Sequence, residues 1–279
     1  MSLRDEVSAM MRGVAATAVT PRFRMLADHE ITEKSPGEIV TSVDRDAERR
    51  LHDQLETLGI GARIVGEEAA AHEPGLLDDI GQGLVWLIDP LDGTANFAAG
   101  RAPFGMMVAL VEDGVPRAGW ILDLLSGRIC HAEWGAGATC DGIPVRTRPT
   151  EGTMPVAALG THFMTPEHRD RVHAHAAQHF EMVPVPRCAA ESYPRLVLGQ
   201  NDLAAFQRTL PWDHAAGALF LTEAGGVVTD WNRAPYRVGS GRGLLAAANE
   251  RLWETAADIL LGSAAGLTAS LIEKEDCTA

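Results

Sequence analysis

The sequence predicts an α+β protein of layered helices and antiparallel-rich sheet, on three observations. Residues 1 to about 60 carry a helical apolar period. From about 62 to 148 the chain breaks into strand-length apolar runs separated by Asp-Gly, Ser-Gly and Gly-Ala-Gly turns. From about 150 helical and strand patterns mix. The expected organisation is a single domain of two lobes, 1–148 and 149–279, and 279 residues suffice for a substantial core.

In chain order, Thr41 or Ser42 caps a helix whose apolar positions Val43, Ala47, Leu51, Leu55 and Leu58 recur every three or four residues. Asp44 falls in its first turn, where the positive end of the helix dipole favours a carboxylate. Ile64-Val65 then runs into Gly66-Glu67-Glu68, and the apolar run from Leu84 to Ile88 ends directly in Asp89. The runs 104–114, 115–127, 128–137 and 138–145 read as an antiparallel meander. Further on, Thr165-Pro166-Glu167 reads as a helix start, and Trp212 to Ala224 as a helix stopped by Gly225-Gly226.

Composition narrows the function class. Hydrophobic residues at 46% and charged residues at 22% describe an ordinary globular chain, not a disordered one. The longest stretch free of formal charge, Gly152 to Pro166, contains two prolines, Pro155 and Pro166, so no membrane span is expected. An N-terminal region of mixed acids and arginines without an apolar signal core predicts a cytoplasmic protein. The net charge of −14 disfavours nucleic acid as a partner, because binding to its backbone depends on cationic charge. A phosphate-bearing ligand would then have to be attracted by something other than net charge, such as a bound cation. The four cysteines show no metal-ligand spacing and are expected to be buried or incidental thiols. His162, His168, His173, His175 and His179 also fit no compact ligand spacing and are read as a solvated helix. Trp86, Trp120, Trp134 and Trp212 are expected to pack core and sheet edges.

The segment that carries chemistry is Trp86-Leu-Ile-Asp89-Pro90-Leu91-Asp92-Gly93-Thr94-Ala-Asn96-Phe97. A strand stops, Pro90 fixes a turn, and two acids emerge three residues apart with the Leu91 carbonyl between them. Hard cations such as Mg²⁺ take this set of oxygen ligands. Gly93 lets backbone approach a ligand, and the amides after it suit phosphate oxygens. Alone, the segment is equally a surface turn. Glu67-Glu68 and Trp212-Asp213-His214-Ala215-Ala216-Gly217 are likewise, taken singly, an exposed acid pair and a helix cap.

Together and in this order, Glu67-Glu68, Asp89-Pro-Leu-Asp-Gly-Thr94 and the Trp212-Asp213 segment through Gly226 resemble the signature set of the inositol monophosphatase family. That superfamily also includes fructose-1,6-bisphosphatases and 3′-phosphoadenosine phosphatases. Lys34 and the stretch Glu38-Ile-Val-Thr41 through Asp44 add an upstream match, and the resemblance spans about residues 34 to 250. It implies a layered α/β/α/β/α sandwich and Mg²⁺-dependent hydrolysis of a small phosphate monoester by a water that two or three ions activate. It further implies a homodimer, sensitivity to Li⁺ and a phosphorylated metabolite as the partner. By the same resemblance, Glu67, Asp89 and the Leu91 carbonyl would ligate one ion, and Asp89, Asp92 and Asp213 a second. Glu67 would hold a third through water, with Asp44 nearby. Thr94 would orient the attacking water, and the Gly93 and Thr94 amides would hold phosphate. Glu68 and Lys34 occupy further matched positions. Physics asks for relief too: two carboxylates about 4 Å apart repel by about 4 kcal/mol at an effective dielectric near 20. Gathering these acids would therefore oppose folding unless cations bind or some of the acids protonate.

On the substrate side the chain departs from the pattern. The family's Gly-Ser/Thr-Ala stretch reads Cys188-Ala189-Ala190-Glu191-Ser192 here, and the position of its sugar-contacting glutamate holds Phe206. A phenyl ring accepts no hydrogen bond from a sugar hydroxyl, so inositol phosphate is not the expected substrate. Glu191 and Ser192 are candidate replacement contacts, and equally structural residues. Sugar bisphosphate, histidinol phosphate and 3′-phosphoadenosine 5′-phosphate remain as alternatives. So does a regulatory role toward RNA or transcription machinery on the same fold.

Overall fold

Alternation along the strand Leu84–Asp92 decides the layering. Val85 and Leu87 join one apolar cluster, Trp86 and Ile88 another, and all four are buried. A strand buried on both faces needs a layer on each side. The computed structural model describes residues 1–35, 38–239, 243–262 and 266–268, without the side chains of Asp28, Lys34, Ser35 and Glu38. The side chain of Lys34 and the whole of Cys277 thus lie outside the described residues.

The N-terminal part runs α1 (Leu3–Val14), β1 (Ile31–Ser35), β2 (Glu38–Thr41), α2 (Ser42–Glu56), β3 (Arg63–Gly66), α3 (Glu67–His72), β4 (Leu84–Asp92) and α4 (Thr94–Ala98). The meander follows as β5 (Gly105–Glu112), β6 (Val115–Asp123), β7 (Ile129–Glu133), β8 (Gly137–Cys140) and β9 (Ile143–Val145). Then come β10 (Val156–Gly160), α5 (Pro166–Ala176), β11 (Glu181–Met182), α6 (Ala189–Val197) and β12 (Leu203–Phe206). The chain continues with α7 (Pro211–Glu223), β13 (Val227–Asp230), β14 (Leu244–Ala247) and α8 (Glu250–Leu260). Strands β3 to β9 form a seven-stranded sheet in sequence order, antiparallel except for the β3–β4 pair. A mixed five-stranded sheet has the order β11-β10-β12-β14-β13.

Three apolar clusters hold five layers together. Val7 and Met11 of α1 and Leu51 of α2 pack on Trp86, Ile88 and Trp120 of the large sheet. On its other face, Val85, Leu87 and Met107 meet Tyr193 of α6 and Ala216 and Phe220 of α7, which reach Ala204 and Ala246 of the small sheet. Val172 and Ala176 of α5 and Ala256, Ala257 and Leu260 of α8 cover the remaining face. The order is the expected α/β/α/β/α sandwich. Small residues bring α7 close: a Cβ at Gly217 would lie 2.0 Å from the Tyr193 ring, a side chain with no exposure. Gly217→Ala is therefore expected to lower stability by about 1–3 kcal/mol or more, measured by denaturant unfolding.

Several expectations need correction. Residues 1 to 60 are not helical throughout, because the hairpin β1–β2 stands between α1 and α2. Leu58 lies beyond the end of α2. Trp134 is 58% exposed under the Arg117 guanidinium instead of packed. The histidines of α5 are not simply solvated: His168 bonds the Gly266 carbonyl, His173 the Thr161 hydroxyl and His175 the Ile259 carbonyl. Cys130 and Cys140 face each other across β7 and β8 with their sulfurs 3.9 Å apart, both as thiols. Among the described residues no helix is long and apolar enough to cross a membrane.

Candidate active site

Two acids three positions apart on a regular strand point to opposite faces. In β4 they do not, because the register against β5 slips: Asp89 pairs with Met107 and Asp92 with Gly105, so β4 holds one residue more than its partner. Such a bulge turns Asp92 toward the side that Asp89 faces. Gly105 also lets α6 in, since a Cβ there would lie 2.4 Å from that of Ala190. The Ala190 amide, near the start of α6, donates to Asp92 Oδ2 at 2.5 Å. Asp89 Oδ1 accepts from the Leu91 amide at 3.1 Å. Gly93 follows at φ +82°, a conformation that glycine adopts without strain, and α4 begins at Thr94.

The remaining groups arrive from three helix starts. Thr41 and Asp44 form a capping box at the head of α2, burying the Asp44 carboxyl. Thr94 Oγ1 lies 2.9 Å from Asp44 Oδ1 and 2.8 Å from the Leu91 carbonyl, so its one proton serves either acceptor. Glu48, a turn further along α2, accepts the Glu68 and Ala69 amides at 2.7 and 2.8 Å and so fixes the head of α3, where Glu67 sits. Asp213 occupies the first turn of α7. Its neighbour His214 donates from Nε2 to the Arg208 carbonyl and accepts the Tyr193 hydroxyl at Nδ1. Burial lowers His214 to about 4, consistent with that neutral tautomer.

Electrostatically the site is under load. Burial raises Asp89 well above the carboxylate range, and Glu67, Asp92, Asp213 and Asp44 add to the rise. Asp213 is raised by burial and then by Asp92 and Glu67, although Arg208 and a hydrogen bond with Asp89 pull the other way. Burial raises Asp92 against the amides that it accepts. Asp44 is pushed up to about 6, chiefly by burial. Glu67, Asp89, Leu91, Asp92, Gly93, Thr94 and Asp213 all line one cavity of about 200 Å³.

The inositol monophosphatase family model matches residues 4–261. The chain belongs to the inositol monophosphatase family. It is 33% identical over 259 residues to an inositol-1-monophosphatase of Mycobacterium leprae, covering 88% of this chain and 87% of that one. It is also 31% identical over 230 residues to the Nus factor SuhB of Xylella fastidiosa, covering 79% of each. An inositol monophosphatase structure from Zymomonas mobilis superposes with a TM-score of 0.76 at 26% identity, over 94% of this chain and 100% of that one.

Family membership sharpens what the substrate side holds. Phe206 lines the cavity, its ring stacked on Tyr193 at 5.3 Å and edge-on to His214 at 4.8 Å. Ser192 lines it as well, but its hydroxyl donates to the Cys188 carbonyl at 2.9 Å. Glu191 does not line the cavity. Its carboxylate is engaged by Arg128 Nη2 at 3.0 Å and Arg195 Nε at 2.8 Å. Glu68 is buried at the head of α3 and does not line the cavity either. His162, read from the sequence as part of a solvated helix, lies before α5 and lines it, as do Arg187, Gln207 and Arg208, which the motif reading did not single out.

An all-oxygen set of four acids suits a hard divalent cation better than a soft one. Among the described residues, no three of these side chains are closed about one point in finished coordination geometry. Asp92 is held by the Ala190 amide, and the Leu91 carbonyl lies within reach of the Thr94 hydroxyl. Yet acids lifted by burial and by one another are what a cation would relieve, so the donor set fits the ion.

Proposed function

We propose that the chain is a divalent-cation-dependent phosphatase that releases phosphate from a small phosphorylated metabolite. The observation that carries this reading is the convergence of Glu67, Asp89, Asp92 and Asp213, from three separated sequence segments, on one cavity beside Gly93 and Thr94. Glu67, Asp89 and the Leu91 carbonyl would hold one Mg²⁺, and Asp89, Asp92 and Asp213 another. When bound there, the ions supply Lewis-acid polarisation of the phosphoryl group and charge neutralisation.

The protein's own part is positioning. The Thr94 hydroxyl, donating to Asp44 Oδ1, leaves its oxygen free to accept a hydrogen bond from an attacking water and so to aim that water's lone pair at phosphorus. Asp44, at about 6, lies near the range in which a carboxylate can take a proton at neutral pH. The Gly93 and Thr94 amides would hold the phosphate oxygens. Phe206 presents no hydrogen-bond acceptor to a polyol, which supports a substrate other than inositol phosphate.

A phosphate-release assay over about thirty phosphoesters, with millimolar Mg²⁺ and with EDTA, tests the reading. Turnover of at least one ester that disappears on chelation is expected; no release from any of them contradicts it. Similarity to the Nus factor SuhB favours a second reading, a regulatory partner of other macromolecules. The net charge of −14 argues against direct contact with RNA, and this reading gains if the panel is inactive while the protein still captures a partner complex.

A further inference from the structure

None of the cysteines has a part in the chemistry above, yet the large sheet brings two of them together. Cys130 of β7 stands opposite Cys140 of β8 in the antiparallel register, with the sulfurs 3.9 Å apart and both thiols free. The backbone fixes this pairing. Cys140 is followed by Asp141 at φ +50° and Gly142 at φ +81°, the two left-handed residues of a tight hairpin turn, and Ile143 pairs back onto Cys140. Asp141 ties the turn to β7: its amide donates to the Ile129 carbonyl at 2.8 Å, and its Oδ1 accepts the Ile129 amide at 2.9 Å. Ile129 and Asp141 thus form a hydrogen-bonded pair, and alternation makes the next pair, Cys130 and Cys140, a non-hydrogen-bonded one. In such a pair the Cα atoms stand about 4.5 Å apart, inside the range that a disulfide spans. Rotation of the two side chains, with the ladder intact, closes the remaining gap to the about 2.05 Å of an S–S bond.

The two thiols are unlike. Cys130 is 1% exposed, whereas Cys140 is half-buried. The Cys130 thiol donates to the Cys140 sulfur, and this bond lowers Cys140 to about 7, with burial and Asp141 opposing and Arg128 helping. The same bond, together with burial, keeps the proton on Cys130. An accessible sulfur that reaches the thiolate form near neutral pH, with a second thiol in contact, is the arrangement of an attacking and a resolving cysteine.

We infer that Cys130 and Cys140 are a peroxide-responsive thiol pair that closes reversibly into a cross-strand disulfide and clasps the outer hairpin β8–β9 to β7. The Cys140 thiolate attacks one oxygen of a hydroperoxide. The O–O bond breaks, and the leaving oxygen takes up the proton that Cys140 gave and departs as water or an alcohol, so Cys140 becomes a sulfenic acid. The Cys130 sulfur then attacks the Cys140 sulfur. The S–O bond breaks, and hydroxide leaves as water with the Cys130 proton. Two thiols lose two electrons and two hydrogen atoms, and the peroxide is reduced by those two electrons. A dithiol reverses the bond by exchange. The clasp has an edge to hold: β8 and β9 end the large sheet, are four and three residues long, and leave Ile143 68% exposed. So few buried contacts favour local opening. Nothing in this site depends on the phosphatase reading above.

Both cysteines fall in one tryptic peptide, residues 129–146, between Arg128 and Arg146. Native protein treated with hydrogen peroxide, then digested without reductant, is read by mass spectrometry. The expected product is this peptide lighter by two hydrogen atoms, formed about 10-fold or more faster than any oxidation of buried Cys188 and reversed by dithiothreitol. In Cys130→Ser, Cys140 should stop at the sulfenic acid and be labelled by dimedone; in Cys140→Ser, the fast oxidation should vanish. Amide exchange over residues 137–141 should slow by about 10-fold in the oxidised wild type. A wild type that leaves the peptide unlinked, carries Cys140 on to the sulfinic acid, or exchanges these amides equally fast when linked would overturn the proposal. The mapping on wild type decides the matter even where a serine variant fails to fold.

Discussion

Asp89→Asn should abolish turnover, by about 10³-fold or more in kcat, and at the same time stabilise the metal-free protein. The two effects have one cause. Asp89 is 1% exposed, and Glu67, Asp92, Asp213 and Asp44 all raise its proton affinity beyond what burial does. Asparagine keeps the oxygen that accepts the Leu91 amide at 3.1 Å, so the local turn survives. What it removes is a negative charge within a like-charged group. Each such contact costs up to about 4 kcal/mol at close range, partly relieved already by protonation, so a gain on the order of 1 kcal/mol in EDTA is expected. The lost charge is also the one that both proposed cation positions share. Removing one preorganised electrostatic group from a site typically costs about 10²–10³ in rate, and a shared ligand belongs at or above the top of that range. Thermal unfolding with and without Mg²⁺ checks the pair. The variant should melt higher than wild type in EDTA and gain less from Mg²⁺. A variant that melts lower in EDTA and turns over normally would refute the electrostatic account.

Thr94→Val is the second large effect, expected to lower kcat by about 10²–10³-fold with KM changed by less than about threefold. Valine fills nearly the same space, so packing at the head of α4 is retained. The lost hydroxyl is the link between Asp44 Oδ1 at 2.9 Å and the Leu91 carbonyl at 2.8 Å. Asp44 keeps the Thr41 amide at 2.9 Å and the Thr41 hydroxyl, so destabilisation should stay near about 1 kcal/mol. General-base assistance contributes about 10²–10⁴-fold, and a hydroxyl that aligns the water toward the Asp44 side governs most of it, so Thr94→Ser should recover all but about 10-fold of the loss. Equal activity of the valine and serine variants would show that the hydroxyl has no part in the reaction.

Much of the site was legible because its acids sit where local rules apply. A strand that ends in Asp, Pro and Gly announces a turn, and Thr41 with Asp44 announces a capped helix. What the sequence could not indicate is the bulge that turns Asp92 to the side of Asp89, since it exists only against β5. The β1–β2 hairpin was hidden by a helical period read across it, although the Pro-Gly pair at 36–37 is a turn signal. Glu191 had a legible structural role: Arg195 stands four residues on, the spacing of a helix-surface ion pair. Arg187 and Arg208 follow no spacing rule at all. They share a cavity because α6 and α7 pack together, and that adjacency comes from Gly217 against Tyr193.

The claim on which the rest depends is that the buried acids gather in order to hold cations. Anomalous scattering from crystals grown with Mn²⁺, in place of Mg²⁺, measures this directly. The account predicts at least one strong peak bounded by Asp89, with Glu67 or with Asp92 and Asp213 as co-ligands. A cavity without a peak, in crystals of protein that hydrolyses phosphoesters in the same Mn²⁺ buffer, would contradict it.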